Sequence, residues 1–97
     1  MLKEEVSALL AFVASSGCGF IRNGSEHSPE DASAHLQRKL DYLKDKGLVD
    51  SAEDFIARAA TESSFSGDPY QVNCAGQRQP SADWLNSELQ RLRHNQP

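Results

Sequence analysis

Ser28-Pro29-Glu30-Asp31 is the stretch that most constrains what this chain can fold into. A serine hydroxyl can accept from the free amides of a first helical turn. Proline fits the first helical position, and two carboxylates suit the positive end of the aligned peptide dipoles. Ala32, Leu36, Leu40 and Leu43 follow at the spacing of one buried helical face. Lys44, Lys46 and then Gly47 mark the end, with cations and a residue free to turn left-handed. This segment must be a helix, and the rest of the chain has to cover its apolar stripe.

The other segments supply that cover. A first helix runs from about Leu2 to Ser15, with Leu2, Val6, Leu9, Leu10 and Val13 expected on its apolar stripe and Gly17 placed to cap it. Cys18 to His27 reads as a loop; Gly19-Phe20-Ile21-Arg22 is a short extended segment within it, and Asn23-Gly24 is a tight-turn pair. Ser51 caps a third helix that buries Phe55, Ile56, Ala59 and Ala60 and fades near Glu62. After a loop from Ser63 to Asp68, Tyr70 and Val72 alternate with Gln71 and Asn73 as in a short strand, which Ala75-Gly76 turns back along Gln77 to Gln79. Ser81 caps a fourth helix that buries Leu85, Leu89 and Leu92, with Trp84 at the edge of the stripe. The expected fold is mostly α: a four-helix compact single domain over residues 1–97, with one or two short β-strands forming a small hairpin between helices three and four. With 97 residues it buries roughly 60–65% of its unfolded surface, a thin margin.

Charge and hydropathy exclude some functions. A net charge of −4 argues against nucleic acid as the main partner, because phosphate binding needs surplus Lys and Arg. The longest apolar run, Leu9 to Ala14, is far short of the ~18–20 residues of a membrane span, so no membrane insertion is expected. Lys3-Glu4-Glu5 interrupts the start, where a secretion signal would have an apolar stretch. Two locations fit: the cytosol, or an export compartment after removal of a leader. Cys18 and Cys74 belong to no Cys-x-x-Cys pair, so zinc and redox motifs are not indicated. They read either as two free thiols or as one disulfide tying the end of the first helix to a late loop. The disulfide is the expectation, and it implies an oxidising compartment.

Three polar motifs lie outside the apolar pattern. Arg22-Asn23-Gly24 is a turn that either carries a solvated arginine or fixes a guanidinium fork for a carboxylate or phosphate. His35 shares a helical face with Arg38 and Lys39 and has Asp31 one turn before it. It is either a half-buried histidine bonded to the backbone or part of a site. Ser63-Ser64-Phe65-Ser66-Gly67-Asp68-Pro69-Tyr70 either satisfies local backbone groups or offers hydroxyls and amides to an anion held by Arg22 or Lys39. Phe65 and Trp84 read as core aromatics. An Asp31–His35 pair needs a nucleophile, and Ser63, Ser64, Ser66 or a free Cys18 are the nearest by type, without a recognisable nucleophile elbow. Glu26, His27, Asp31 and His35 do not converge well enough for a metal, so neither a metal nor a cofactor is expected.

Ser16-Gly17-Cys18-x-Phe20-x-Arg22-Asn23-Gly24, Ala34-His35-Leu36-x-x-Lys39, Ser51-Ala52-Glu53-Asp54-Phe55-Ile56 and Ser63-Ser64-x-Ser66-Gly67-x-Pro69-Tyr70 occur in this order. Together they resemble the YfeK-like family of small bacterial proteins, mainly proteobacterial, a domain of unknown function, across nearly the whole chain. The resemblance implies a periplasmic or secreted protein whose leader has been removed. It places Arg22, Asn23, His35, Lys39, Ser64, Ser66, Gly67 and Tyr70 at motif positions and carries no activity with it. The leading expectation is a non-enzymatic domain that binds an unidentified protein or a small anionic ligand. Arg22, His35 and Lys39 would supply charge; Asn23, Ser64, Ser66 and Tyr70 would supply hydrogen bonds. Two alternatives stand beside it. One is a cell-envelope hydrolase using His35 and a serine. The other is an inhibitor or immunity-type protein that presents acids around Asp50, Glu53 and Asp54.

Overall fold

The structure, a computed structural model, describes residues 2–62 and 67–94. Its order is α1 (Leu2–Ser15), β1 (Gly19–Arg22), β2 (Ser25–His27), α2 (Pro29–Asp45), α3 (Ala52–Ala59), β3 (Gln71–Cys74), β4 (Gln77–Pro80) and α4 (Ser81–His94). Ser28 is extended, and its Oγ accepts from the Asp31 amide at 3.1 Å, which starts α2. At the other end the Leu48 amide donates to Leu43 O and the Gly47 amide to Lys44 O, both at 3.0 Å, with Gly47 at φ 69. That crossed pair of bonds is the glycine-dependent stop. Ser51 caps α3 by accepting from the Asp54 amide at 3.1 Å.

The expected mostly α fold is corrected at the strands. β1–β2 and β3–β4 are two antiparallel hairpins, and β1 pairs antiparallel with β3, giving one four-stranded sheet in the order β2-β1-β3-β4. So a second hairpin lies between α1 and α2, in the span expected to be loop. Asn23-Gly24 and Ala75-Gly76 make the turns, and all four residues have positive φ. That backbone matches the right-handed twist of the flanking strands. β2 is Ser-Glu-His and β4 is Gln-Arg-Gln-Pro, the latter exposed throughout. The β3–β4 hairpin is the one expected; β2, an edge strand with no buried residue, carries no alternation to detect. A second correction concerns Ser81: it is the first residue of α4 rather than its cap, and it is fully buried.

The helices cover one face of the sheet. Phe20 and Val72 face each other across β1 and β3 and join the core formed by Leu9, Leu36, Ile56 and Leu89. On the opposite face, Glu26 reaches from β2 across β1 and accepts from Asn73 Nδ2 on β3 at 3.2 Å. The crossing passes over Gly19, where a Cβ would collide with the Glu26 carboxylate. Far from the sheet, Arg93 at the end of α4 clamps two carboxylates. It bonds Glu5 of α1 at 2.9 and 3.1 Å and Glu53 of α3 at 2.6 and 3.0 Å.

Cys18 and Cys74 form a disulfide with Cα atoms 4.5 Å apart. Gly19 pairs with Asn73, so the bridge sits one position further along the same ladder. It therefore staples one hairpin to the other at the strands they share. Removing it by Cys18→Ser with Cys74→Ser should lower stability by about 4 kcal/mol on the chain-entropy account of a loop this long. Urea unfolding followed by circular dichroism measures this. A loss below about 1 kcal/mol would show that the β1–β3 register holds without the bridge.

Candidate functional site

The β1–β3 ladder carries the disulfide at one end and two polar side chains at the other. Arg22 ends β1 and Tyr70 directly precedes β3, so continuing the pairing beyond Ile21 and Gln71 sets them opposite each other. Strand alternation puts both on the face of Phe20 and Val72, toward α2. Tyr70 is held by its backbone from two sides: its amide donates to Thr61 O and its carbonyl accepts from the Ser81 amide, both at 2.9 Å. The residue is 2% exposed and its ring lies against Phe20, with centroids 5.3 Å apart.

His35 and Lys39, one turn apart on α2, close over this end of the sheet. Arg22 Nη1 is 2.9 Å from His35 Nδ1 and 3.0 Å from Nε2, and His35 Nε2 is 3.4 Å from the Tyr70 hydroxyl. Lys39 Nζ is 3.2 Å from the same hydroxyl, 3.3 Å from Glu62 O and 5.0 Å from the centre of the Tyr70 ring. Burial and the neighbouring cations set the protonation of all three. Burial first, then Arg22, Lys39 and Arg38, push His35 down to about 4, so the ring is neutral. Burial and Arg22 lower the Lys39 amine, against an opposing pull from Glu62. Burial raises the Tyr70 phenol, so it keeps its proton. A neutral imidazole can accept from the guanidinium with one nitrogen while the other donates.

Two clefts share His35 and Arg38 in their walls. The first, about 210 Å³, is also lined by Phe20, Arg22, His27 and Asp31. The second, about 260 Å³, is also lined by Lys39, Tyr42, Leu43 and Arg58. Arg22, Arg38, Lys39 and Arg58 thus surround openings whose described lining includes one carboxylate, Asp31. None of the four cations forms an ion pair among the described residues.

Of the sequence-selected residues, Arg22, His35, Lys39 and Tyr70 come together. Asn23 shapes the hairpin turn at φ 52 and lines neither cleft. Ser64 and Ser66, with Ser63 and Phe65, lie outside the described residues. Arg58 was missed: on α3 it follows the inward Phe55 and Ile56 as any solvated helix cation would, and only the packing of α3 against α2 turns it toward Lys39. Arg38 was seen beside His35, but its position between two clefts was not readable from spacing. No group of three or more His, Cys, Asp or Glu residues suited to a metal occurs among the described residues, and no helix among them is long and apolar enough to cross a membrane.

Residues 1–93 match the profile of a family described as a family of unknown function, DUF5329, and the chain belongs to that family. It is also similar to the uncharacterized protein YfeK of Salmonella typhimurium, at 43% identity over 51 residues, which cover 53% of this chain and 41% of that relative. This chain therefore matches less than half of the relative's length. No solved structure matches. The likeness carried by the four motifs is thus borne out at the level of the family.

The neutral His35 sets a pH dependence. An unfolded chain has an ordinary imidazole near 6.5, whereas the folded value is about 4, so the unfolded state binds the extra proton between them. The stability tied to a neutral His35 is complete above pH 6.5 and is lost as the pH falls toward 4. Melting temperature should drop across that window, and His35→Gln should flatten the drop. Proton NMR of the imidazole checks the cause: a His35 midpoint near 6.5 would show that burial and the three cations do not act on it.

Proposed function

We propose that the chain is a non-enzymatic binding domain that takes a small anionic ligand at the paired clefts around His35 and Arg38. The observation that carries this reading is charge placement. In a chain of net charge −4, Arg22, Arg38, Lys39 and Arg58 border two adjoining openings, with Asp31 the one carboxylate among the described lining residues. An isolated exposed ion pair contributes only about 0–1 kcal/mol. Several guanidinium forks converging on one anion, each able to give two parallel bonds, add specificity as well as strength. The apolar flank of Tyr42 and Leu43 in the second cleft favours an anion with a non-polar body over a bare ion.

The two alternatives find less support. His35 faces Arg22 and Tyr70, and among the described residues neither Asp31 nor a serine hydroxyl bonds to its ring. An inhibitor presenting acids near Asp50 would need those acids free. Glu53 is clamped by Arg93 and held down to about 2, and Asp54 accepts from the Asp50 amide at 3.0 Å. We further infer an extracytoplasmic, oxidising location, which the Cys18–Cys74 bridge supports.

Nitrogen-15 NMR titration with inorganic phosphate and with benzoate tests the binding reading. Saturable shifts should centre on residues 22, 35, 38 and 58, benzoate should bind more tightly than acetate, and Arg38→Ala should weaken binding at least about tenfold, or 1.4 kcal/mol. Shifts that never saturate, or that survive Arg38→Ala with Arg58→Ala unchanged, would remove the basis for it.

A further inference from the structure

The proton arrangement around Tyr70 says more about Lys39 than its charge type does. Lys39 Nζ lies 3.2 Å from the Tyr70 hydroxyl and 3.3 Å from Glu62 O. Arg22 Nη1 is within 3.0 Å of both ring nitrogens of His35, and Nε2 meets the Tyr70 hydroxyl at 3.4 Å, so that hydroxyl stands between the imidazole and the amine and can exchange a proton with either. Burial and the Arg22 guanidinium both disfavour the ammonium form of Lys39, which leaves its lone pair more available than that of a solvated lysine. The surroundings agree: Lys39 is half-buried, has no carboxylate ion-paired to it among the described residues, and opens into the cleft that Arg38 and Arg58 also line.

We propose that Lys39 is a nucleophilic amine that captures carbonyl compounds bearing an anionic group, holding them as a reversible imine in the cleft it shares with Arg38 and Arg58. The inference rests on the anion-binding reading, since the two guanidinium groups are what bring the carbonyl compound to Nζ. The Nζ lone pair attacks the carbonyl carbon, a C–N bond forms, and the C=O π pair moves to oxygen. One proton passes from nitrogen to that oxygen to give the carbinolamine, with the Tyr70 hydroxyl adjacent to Nζ as a relay. Protonation of the carbinolamine hydroxyl and loss of water leave the iminium, whose nitrogen then gives up its remaining proton to yield the imine. The balance is amine plus carbonyl to imine plus water, with no oxidant or reductant, and addition of water reverses it. The result is covalent capture without turnover, in keeping with a binding domain.

The test uses pyridoxal 5′-phosphate and pyruvate as anionic carbonyl probes and acetaldehyde as the uncharged one. Each is mixed briefly with the whole protein near neutral pH, trapped with borohydride and mapped by peptide mass spectrometry. Both anionic probes should modify Lys39 at least tenfold more than the exposed Lys44 and Lys46, and excess inorganic phosphate should suppress the reaction. Arg58→Ala should slow it severalfold, and Lys39→Arg should abolish the adduct while leaving the melting temperature close to that of the parent. Equal modification of Lys39, Lys44 and Lys46 overturns the proposal, and so does an equal preference for Lys39 with acetaldehyde. If labelling is indiscriminate while phosphate still gives saturable NMR shifts, the imine fails and the anion site stands. If neither occurs, both fail.

Discussion

A tyrosine that is 2% exposed yet has two titratable side chains against its hydroxyl sets the terms for the rest of this molecule. A buried phenol needs a hydrogen-bond partner, and burying that partner's charge is costly. Here the ring packs on Phe20 while the hydroxyl meets His35 and Lys39, and the backbone is pinned by Thr61 and Ser81. Tyr70 is thus fixed from the sheet, from the segment after α3 and from the start of α4. Its backbone is held by bonds separate from those its hydroxyl makes to His35 and Lys39. A binding group is best placed in that way, on rigid elements and supported from behind.

The sheet delivers this arrangement through register. The disulfide and the Arg22–Tyr70 pair occupy opposite ends of one short ladder. With side chains alternating from face to face, a slip of one residue would send Arg22 and Tyr70 to the outer face and bring Ile21 and Gln71 inward. A three-pair ladder between two hairpins has little intrinsic hold on its register. The covalent bridge at Cys18 and Cys74 supplies that hold, and Glu26 reaching over Gly19 to Asn73 adds a second tie on the far face. The staple and the site are therefore parts of one device, although no side chain of the disulfide touches the clefts.

The helices were legible because their signals are local. Ser28-Pro29, Gly47 and Ser51 state a cap or a stop within four residues, and the apolar stripes repeat at a fixed spacing. The four-stranded sheet was not legible for the converse reason. The β3–β4 hairpin was expected from Ala75-Gly76, but Ser25-Glu26-His27 is a strand only because a neighbour offers it amides and carbonyls, and its side chains record nothing of it. Asn23-Gly24 announced a tight turn, and the step missed was that a turn of that type brings two strands with it. At the site, Arg22, His35, Lys39 and Tyr70 stood out as polar residues unexplained by the helical pattern. Their convergence depends on the β1–β3 pairing, and Arg58 on a helix contact, so neither could be derived from spacing along one chain.

The distribution of charge argues that the cleft cations are kept apart from acids by placement rather than by scarcity. The chain has 14 acidic residues against 10 Lys and Arg. On α4, Arg91 and Arg93 are paired, with Glu88 and with Glu5 and Glu53. Around the clefts Arg22, Arg38, Lys39 and Arg58 have no such partner among the described residues, and burial, with three of the four as neighbours, pushes His35 down to about 4. Mutual repulsion among these groups and the burial of His35 and Lys39 both oppose folding in a domain with a thin stability margin. Asp31 borders one cleft and Glu62 pulls on Lys39, but among the described residues neither closes on a cleft cation as Glu5 and Glu53 close on Arg93. Local conflict of this sort, in a chain whose caps, turns and core otherwise agree, is what the proposed anion site would leave in the fold.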